Sequence, residues 1–153
     1  MNFVVIGTDH RFQNRERGLE GLLRGWLGQV FCEPLTAIAE EYHEDVGESI
    51  GQRLAREFHL CWYNMDMTEE EKRRAGIYDE QDGRRKSDRN RRVPSDEIRE
   101  VAWTEKLTSP GPGTTLVICG YNHLEPLVRK LRGGGCTVDQ RVYLETVPDR
   151  GPE

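Results

Sequence analysis

The sequence lacks a basic leader, a long apolar stretch and a small-residue cleavage site at its amino terminus, running straight into Asn2-Phe3-Val4-Val5-Ile6-Gly7. The expectation is a chain that stays in the cytoplasm and makes no use of a membrane. Cysteine is scarce. The four present, Cys32, Cys61, Cys119 and Cys136, form no C-x-x-C pair, and three lie in or beside apolar runs where cysteine behaves as a small hydrophobe. They read as reduced thiols, and a chain of 153 residues buries enough core to need neither a disulfide nor a structural metal. An excess of positive charge is also missing: 27 acidic against 22 basic residues give a net charge of -5, which argues against wholesale binding of long nucleic acid. Mean hydropathy is -0.76. The apolar residues are nevertheless clustered rather than diluted, so one folded domain over residues 1–153 is expected.

What is present alternates between strand and helix patterns. Phe3 to Ile6 is a short apolar run ending at Gly7, the mark of a buried strand that stops where a backbone turn begins. Leu19, Leu22, Leu23, Trp26 and Leu27 then fall on one helical face. Leu35 to Ala39 reads as a second strand leading into Glu40-Glu41. Ile50, Leu54 and Phe58 give a second helical stripe, and Leu60 to Tyr63 a third strand ahead of Asn64 and Asp66. Thr68 and Glu71 have the spacing of a capping box for a short helix. Ser95 or Asp96 can cap a further helix carrying Ile98, Ala102 and Leu107, with Trp103 beside that face. Thr114 to Cys119 is a buried strand, Leu124, Leu127, Val128 and Leu131 stripe the last helix, and Thr137 to Leu144 alternates as an edge strand. The predicted fold is α/β: three layers, a mostly parallel sheet of about five strands, and helices on both faces. The tail after residue 146 is expected to fray.

Ligands of open α/β sheets bind outside the carboxyl ends of the strands, and here the residues following each strand are polar. Asp9, His10 and Gln13 follow the first strand, Glu40 and Glu41 the second, Asp66 the third, and Asn122 and His123 the fourth. Two Gly-x-x-His turns, Gly7 to His10 and Gly120 to His123, recur at corresponding points. A glycine lets the chain turn, and a histidine three residues on can face the crevice at the head of the next helix. Two such imidazoles with a carboxylate can ligate a divalent metal or exchange protons with a substrate. A lone Gly-x-x-His is weak evidence, and either glutamate could be an ordinary solvated acid. His43 and His59 read as structural or exposed. Arg99 can grip a carboxylate or phosphate in a two-point fork, its plainer alternative being an exposed pair with Asp96 or Glu100.

From about residue 83 to 94 the chain reads as a long loop, in which Arg84, Arg85, Lys86, Arg89, Arg91 and Arg92 fall within nine residues. So dense a run favours either a flexible loop or an anionic partner. No aromatics interleave it, so the stacking platform of a single-strand nucleic-acid binder is missing. A phosphate-bearing small molecule held by Arg84, Arg85, Arg91 and Arg92 fits better.

These residues together, Gly7-Thr8-Asp9-His10, a glutamate after the second strand, Arg99-Glu100 followed by Trp103, and Gly120-Tyr121-Asn122-His123, resemble the superfamily that groups TraB and Tiki proteins, erythromycin esterases and ChaN-like haem-binding proteins. In that group two G-x-x-H motifs, a glutamate and an arginine frame the site, and Tiki proteins look like metal-dependent proteases. The resemblance selects His10, Glu40 or Glu41, Arg99 and His123. It covers most of a chain much shorter than the better-studied members. Two functions are expected. One is a metal-dependent hydrolase of an anionic or phosphate-bearing small substrate or peptide, with Mn, Co, Fe or Zn held by His10, Glu41 and His123. The other is a regulatory domain that binds a small anionic, nucleotide-like molecule without turnover. A homodimer is compatible with either.

Overall fold

In a computed structural model the described residues are 1–9, 17–28, 34–43, 47–77, 92–109, 111 and 113–144. The elements are β1 (Asn2–Thr8), α1 (Arg17–Leu27), β2 (Leu35–Glu40), α2 (Ile50–Glu57), β3 (Cys61–Asn64), α3 (Glu69–Arg74), α4 (Pro94–Leu107), β4 (Thr114–Gly120), α5 (Tyr121–Gly133) and β5 (Thr137–Tyr143). The five strands form one sheet in the order β3-β2-β4-β1-β5, every pair parallel. Alternate side chains of each strand point to opposite faces. Phe3 and Val5 of β1 pack with Trp103, Leu107, Leu124, Leu127, Val128 and Leu131 of α4 and α5. Val4 and Ile6 pack with Leu19, Leu23, Trp26, Ile50 and Leu54 of α1 and α2. The result is the expected three-layer α/β sandwich with an apolar core on each face of the sheet.

Local sequence explains most of the boundaries. Ser49 caps α2: its Oγ accepts the Gln52 N–H at 3.0 Å, and the Gln52 side chain takes the Ser49 N–H at 2.9 Å. Thr68 and Glu71 do the same for α3. Two local expectations are revised. Gly7 does not end β1, which runs on to Thr8; a Cβ there would stand 2.8 Å from Leu124 Cβ and 3.2 Å from Tyr121 Cα, so the glycine serves the close approach of α5. Helix α4 is capped at Val93, not at Ser95 or Asp96, with Pro94 at its first position and the Asp96 carboxylate accepting the Val93 N–H at 2.9 Å. Its buried face is Ser95, Asp96, Arg99, Glu100, Trp103 and Leu107, while Ile98 faces solvent. Leu107 and Trp103 thus lie inside as expected, while the first half of the buried face is polar where Ile98 was expected. Most of the basic run and the tail after residue 146 lie outside the described residues.

Candidate functional site

Strand β2 delivers two consecutive carboxylates to its carboxyl end, and the pleat sends them to opposite faces. Both are fully buried. Glu40 turns toward α2, where its Oε2 accepts from Ser49 Oγ at 2.5 Å and from Trp62 Nε1 at 3.0 Å. A side chain at Gly51 would strike the same oxygen at 2.6 Å, so that glycine makes room for the carboxylate. Glu41 turns toward α4 and α5, with its backbone N–H on Ile118 O at 2.9 Å and its Oε2 accepting the Gly120 N–H at 2.9 Å. The choice that the sequence left open between the two resolves into one carboxylate for each face.

On the Glu41 face, Arg99 of α4 is the central cation. Its Nη2 donates to Glu41 Oε1 at 2.6 Å, and its Nε and Nη2 grip Asp66 in a two-point fork at 3.1 and 3.0 Å. Trp103, one turn on, donates its indole N–H to Asp66 Oδ1 at 2.9 Å and presents its ring 5.0 Å from the guanidinium carbon. Lys72 Nζ lies 3.4 Å from Asp66 Oδ2. Burial pushes the Asp66 carboxyl up and Glu41 adds to that push, but Arg99 and Lys72 outweigh both and hold it below the ordinary carboxylate range. Burial works against the charge of Arg99, and its two acids more than restore it, raising its pKa. The fork is therefore committed to the protein's own carboxylates.

His123, third residue of α5, is fully buried. Its Nδ1 lies 2.8 Å from Glu100 Oε1, and Arg92 closes on the same carboxylate in a bidentate fork, Nη1 to Oε1 at 2.6 Å and Nη2 to Oε2 at 2.9 Å. Burial raises the Glu100 carboxyl, yet the bonds from His123 and Arg92 prevail and hold it below its usual range. An ionised Glu100 only accepts, so the proton between the two sits on Nδ1 and leaves Nε2 as the atom that can take or give a proton. Nε2 is 3.7 Å from Glu41 Oε1 and 3.8 Å from Asp96 Oδ1, and among the described residues it has no hydrogen-bond partner. The imidazole stands edge-on to Trp103, centroids 4.7 Å apart.

The structure thus brings together Glu41, Asp66, Arg99 and His123 of the residues singled out by sequence, with Arg92 and Asn122 at the margin, where the Asn122 carbonyl accepts from Arg92 at 3.2 Å. Asp9 is half-buried just beyond β1. His59 is exposed with a φ of 56° after α2. His10, Gln13, Arg84, Arg85 and Arg91 lie outside the described residues. Sequence reasoning missed Glu100 and Asp96 as partners of His123, although residues 96, 99, 100 and 103 have helical spacing and could have been read as one polar stripe. It also passed over His43, which follows Glu41 by two residues. One ligand atom each from Glu41, His43 and Asp66 lie within 4.8 Å of one another, a group able to hold a metal ion.

No family model, curated protein or solved structure matches the chain. Among the described residues no helix is long and apolar enough to cross a membrane.

Proposed function

We propose that the protein is a metal-dependent hydrolase of a small anionic substrate, working at the carboxyl ends of β2, β3 and β4. The observation that carries this reading is His123 Nε2: a fully buried imidazole nitrogen, without a hydrogen-bond partner among the described residues, aimed between Glu41 and Asp96. Buried polar atoms are almost always paired, and an orphan in a native fold points to a role in chemistry or to an absent ion or water. The Arg92–Glu100–His123 chain is the arrangement that orients a general base: the carboxylate fixes the tautomer and stabilises the imidazolium that forms when Nε2 takes a proton from water.

Glu41, His43 and Asp66 offer two carboxylates and one imidazole, a donor set suited to Mn, Fe, Co or Zn. A cation held there would lower the pKa of bound water. In this reading Arg99 and Trp103 keep the carboxylates in place rather than touching substrate. His123 would move the proton. The resemblance to the TraB and Tiki group favours the same reaction class and, of the residues used here, selects Glu41 and His123.

One observation favours a second reading, a domain that binds a small anionic molecule without turning it over. The Asp66 carboxylate already accepts from Arg99, Trp103 and the Met67 N–H, with Lys72 beside it, so this part of the cluster is balanced without a metal. Metal analysis of the purified protein separates the two. Turnover of phosphodiesters, anionic esters and peptides should be followed with added Mn, Co or Zn and with a chelator. The hydrolase reading expects a stoichiometric metal lost in His43→Ala, and activity lost in His123→Gln with unfolding temperature retained. A metal-free protein inert on every substrate class would discard it in favour of the binding domain.

A further inference from the structure

We propose that the chain forms a two-fold homodimer by antiparallel pairing of β5 with β5 of a second copy, joining two five-stranded sheets into one. The strand pairing itself uses none of Glu41, His43, Asp66, Arg99, Glu100 or His123. Strand β5 pairs with β1 on one side and, among the described residues, with no strand on the other, where the Arg132 side chain takes one backbone carbonyl, Val138 O, at 3.0 Å and would have to release it. It runs seven residues without a register shift, and Asp139, Gln140, Arg141 and Val142 are all exposed. A long regular edge without proline or a bulge is a template for another chain.

The sequence of the strand says which chain. Antiparallel pairing about a two-fold axis at Gln140, the midpoint of β5, sets Asp139 opposite Arg141 of the second copy, and Arg141 opposite its Asp139. Val142, 51% exposed, then faces Val138 of the second copy. Within one chain Asp139 and Arg141 already hold each other at 2.8 Å, so they stand on the same face of the strand and a cross-strand exchange needs no rotation of the sheet.

Helix α5 fits the same axis. It packs mainly on β1 and β5 and also on β4, which puts it between β1 and the last gap of the sheet. The axis would lie half a strand spacing beyond β5, so α5 is about 5–7 Å from it and the two copies of the helix about 10–14 Å apart, within reach of contact between their long side chains. The helix spans about 18 Å and the strand about 20 Å, and in the proposed dimer the midpoint of α5, Leu127, is set level with Gln140. The stripe that α5 leaves exposed carries Tyr121, Glu125 and Arg129. Under the same two-fold operation Glu125 meets Arg129 of the second copy; these residues with Gln140 and Val142 line one side of a groove of about 620 Å³ that continues over α5 to Arg92 and Glu97. Strand and helix are each self-complementary about one axis, as an isologous interface requires.

The test is sedimentation velocity with light scattering on the full chain and on two charge-reversed variants. Asp139→Arg leaves only cations facing each other across the paired strands, and Arg141→Asp leaves only acids. The native chain should be a dimer. Each variant alone should associate about tenfold more weakly or worse, with circular dichroism and thermal unfolding confirming the fold. An equimolar mixture of the two should recover native association as a heterodimer, because every cation again faces an acid. A monomeric native chain, single variants that associate as the native chain does, or a mixture that fails to recover would each overturn the proposal.

Discussion

Arg99 is the residue on which the buried charges depend. It pairs with Glu41 and Asp66 together, and without it two buried carboxylates lose their shortest cation contact, with Lys72 at 3.4 Å remaining to Asp66. Arg99→Leu should therefore lower stability by about 3–5 kcal/mol in urea unfolding, and Arg99→Lys by less, because a lysine keeps the charge but not the fork. The acids give a pH dependence of definite sign. Asp66 and Glu100 have folded-state pKa values below their unfolded ones, so their contribution is complete above about pH 4–5 and is lost as pH falls through the lower folded values. The unfolding temperature should drop through that acidic range, and Glu100→Gln should flatten part of the drop. At this scale the sequence was legible where a motif is local. His123 could be chosen because it sits three residues past a glycine at a strand end. Its partner Glu100 could not, because the pair is brought together by the packing of α4 on α5 across 23 residues of chain.

At the scale of elements, α1, α2 and α5 were readable because their buried stripes are apolar, and the 3.6-residue period of hydrophobicity reports which face is inside. Helix α4 defeats that rule for a physical reason: its inner face carries Asp96, Arg99 and Glu100, whose charges are satisfied by one another's neighbours, while Ile98 and Val101 are left outside at 41% and 44% exposure. A search for apolar periodicity then finds Trp103 and Leu107 in the second half of the helix but takes Ile98 for core in the first. The junction of β1 with α5 gives a further prediction. Gly7→Ala places a methyl 2.8 Å from Leu124 Cβ and 3.2 Å from the backbone of Tyr121, which cannot yield without moving the helix that carries His123. The variant should lose about 1–3 kcal/mol by thermal unfolding, and any activity should fall with it. An unchanged unfolding temperature would show that α5 is free to shift.

Across the whole molecule the number of strands, their parallel sense and the two covering layers followed from alternating strand and helix patterns, but the strand order did not. Periodicity says that a segment is a strand and which face it buries; it carries nothing about the neighbour that strand will find. Here β4 lies between β1 and β2 and hydrogen-bonds to both, with Thr115 opposite Phe3 on one side and Ala37 on the other. The insertion has a consequence for how the protein comes into being. While the nascent chain lengthens, β1, β2 and β3 emerge first, yet β1 has no strand to join until residues 114–120 have been made, since neither of its neighbours precedes it. Ribosomal synthesis must reach Gly120 before β1 can join the sheet, and long-range parallel pairing is slow even then. A fragment ending at Gly113 should accordingly show neither cooperative unfolding nor protected β1 amides, and adding residues through Tyr143 should restore both in one step.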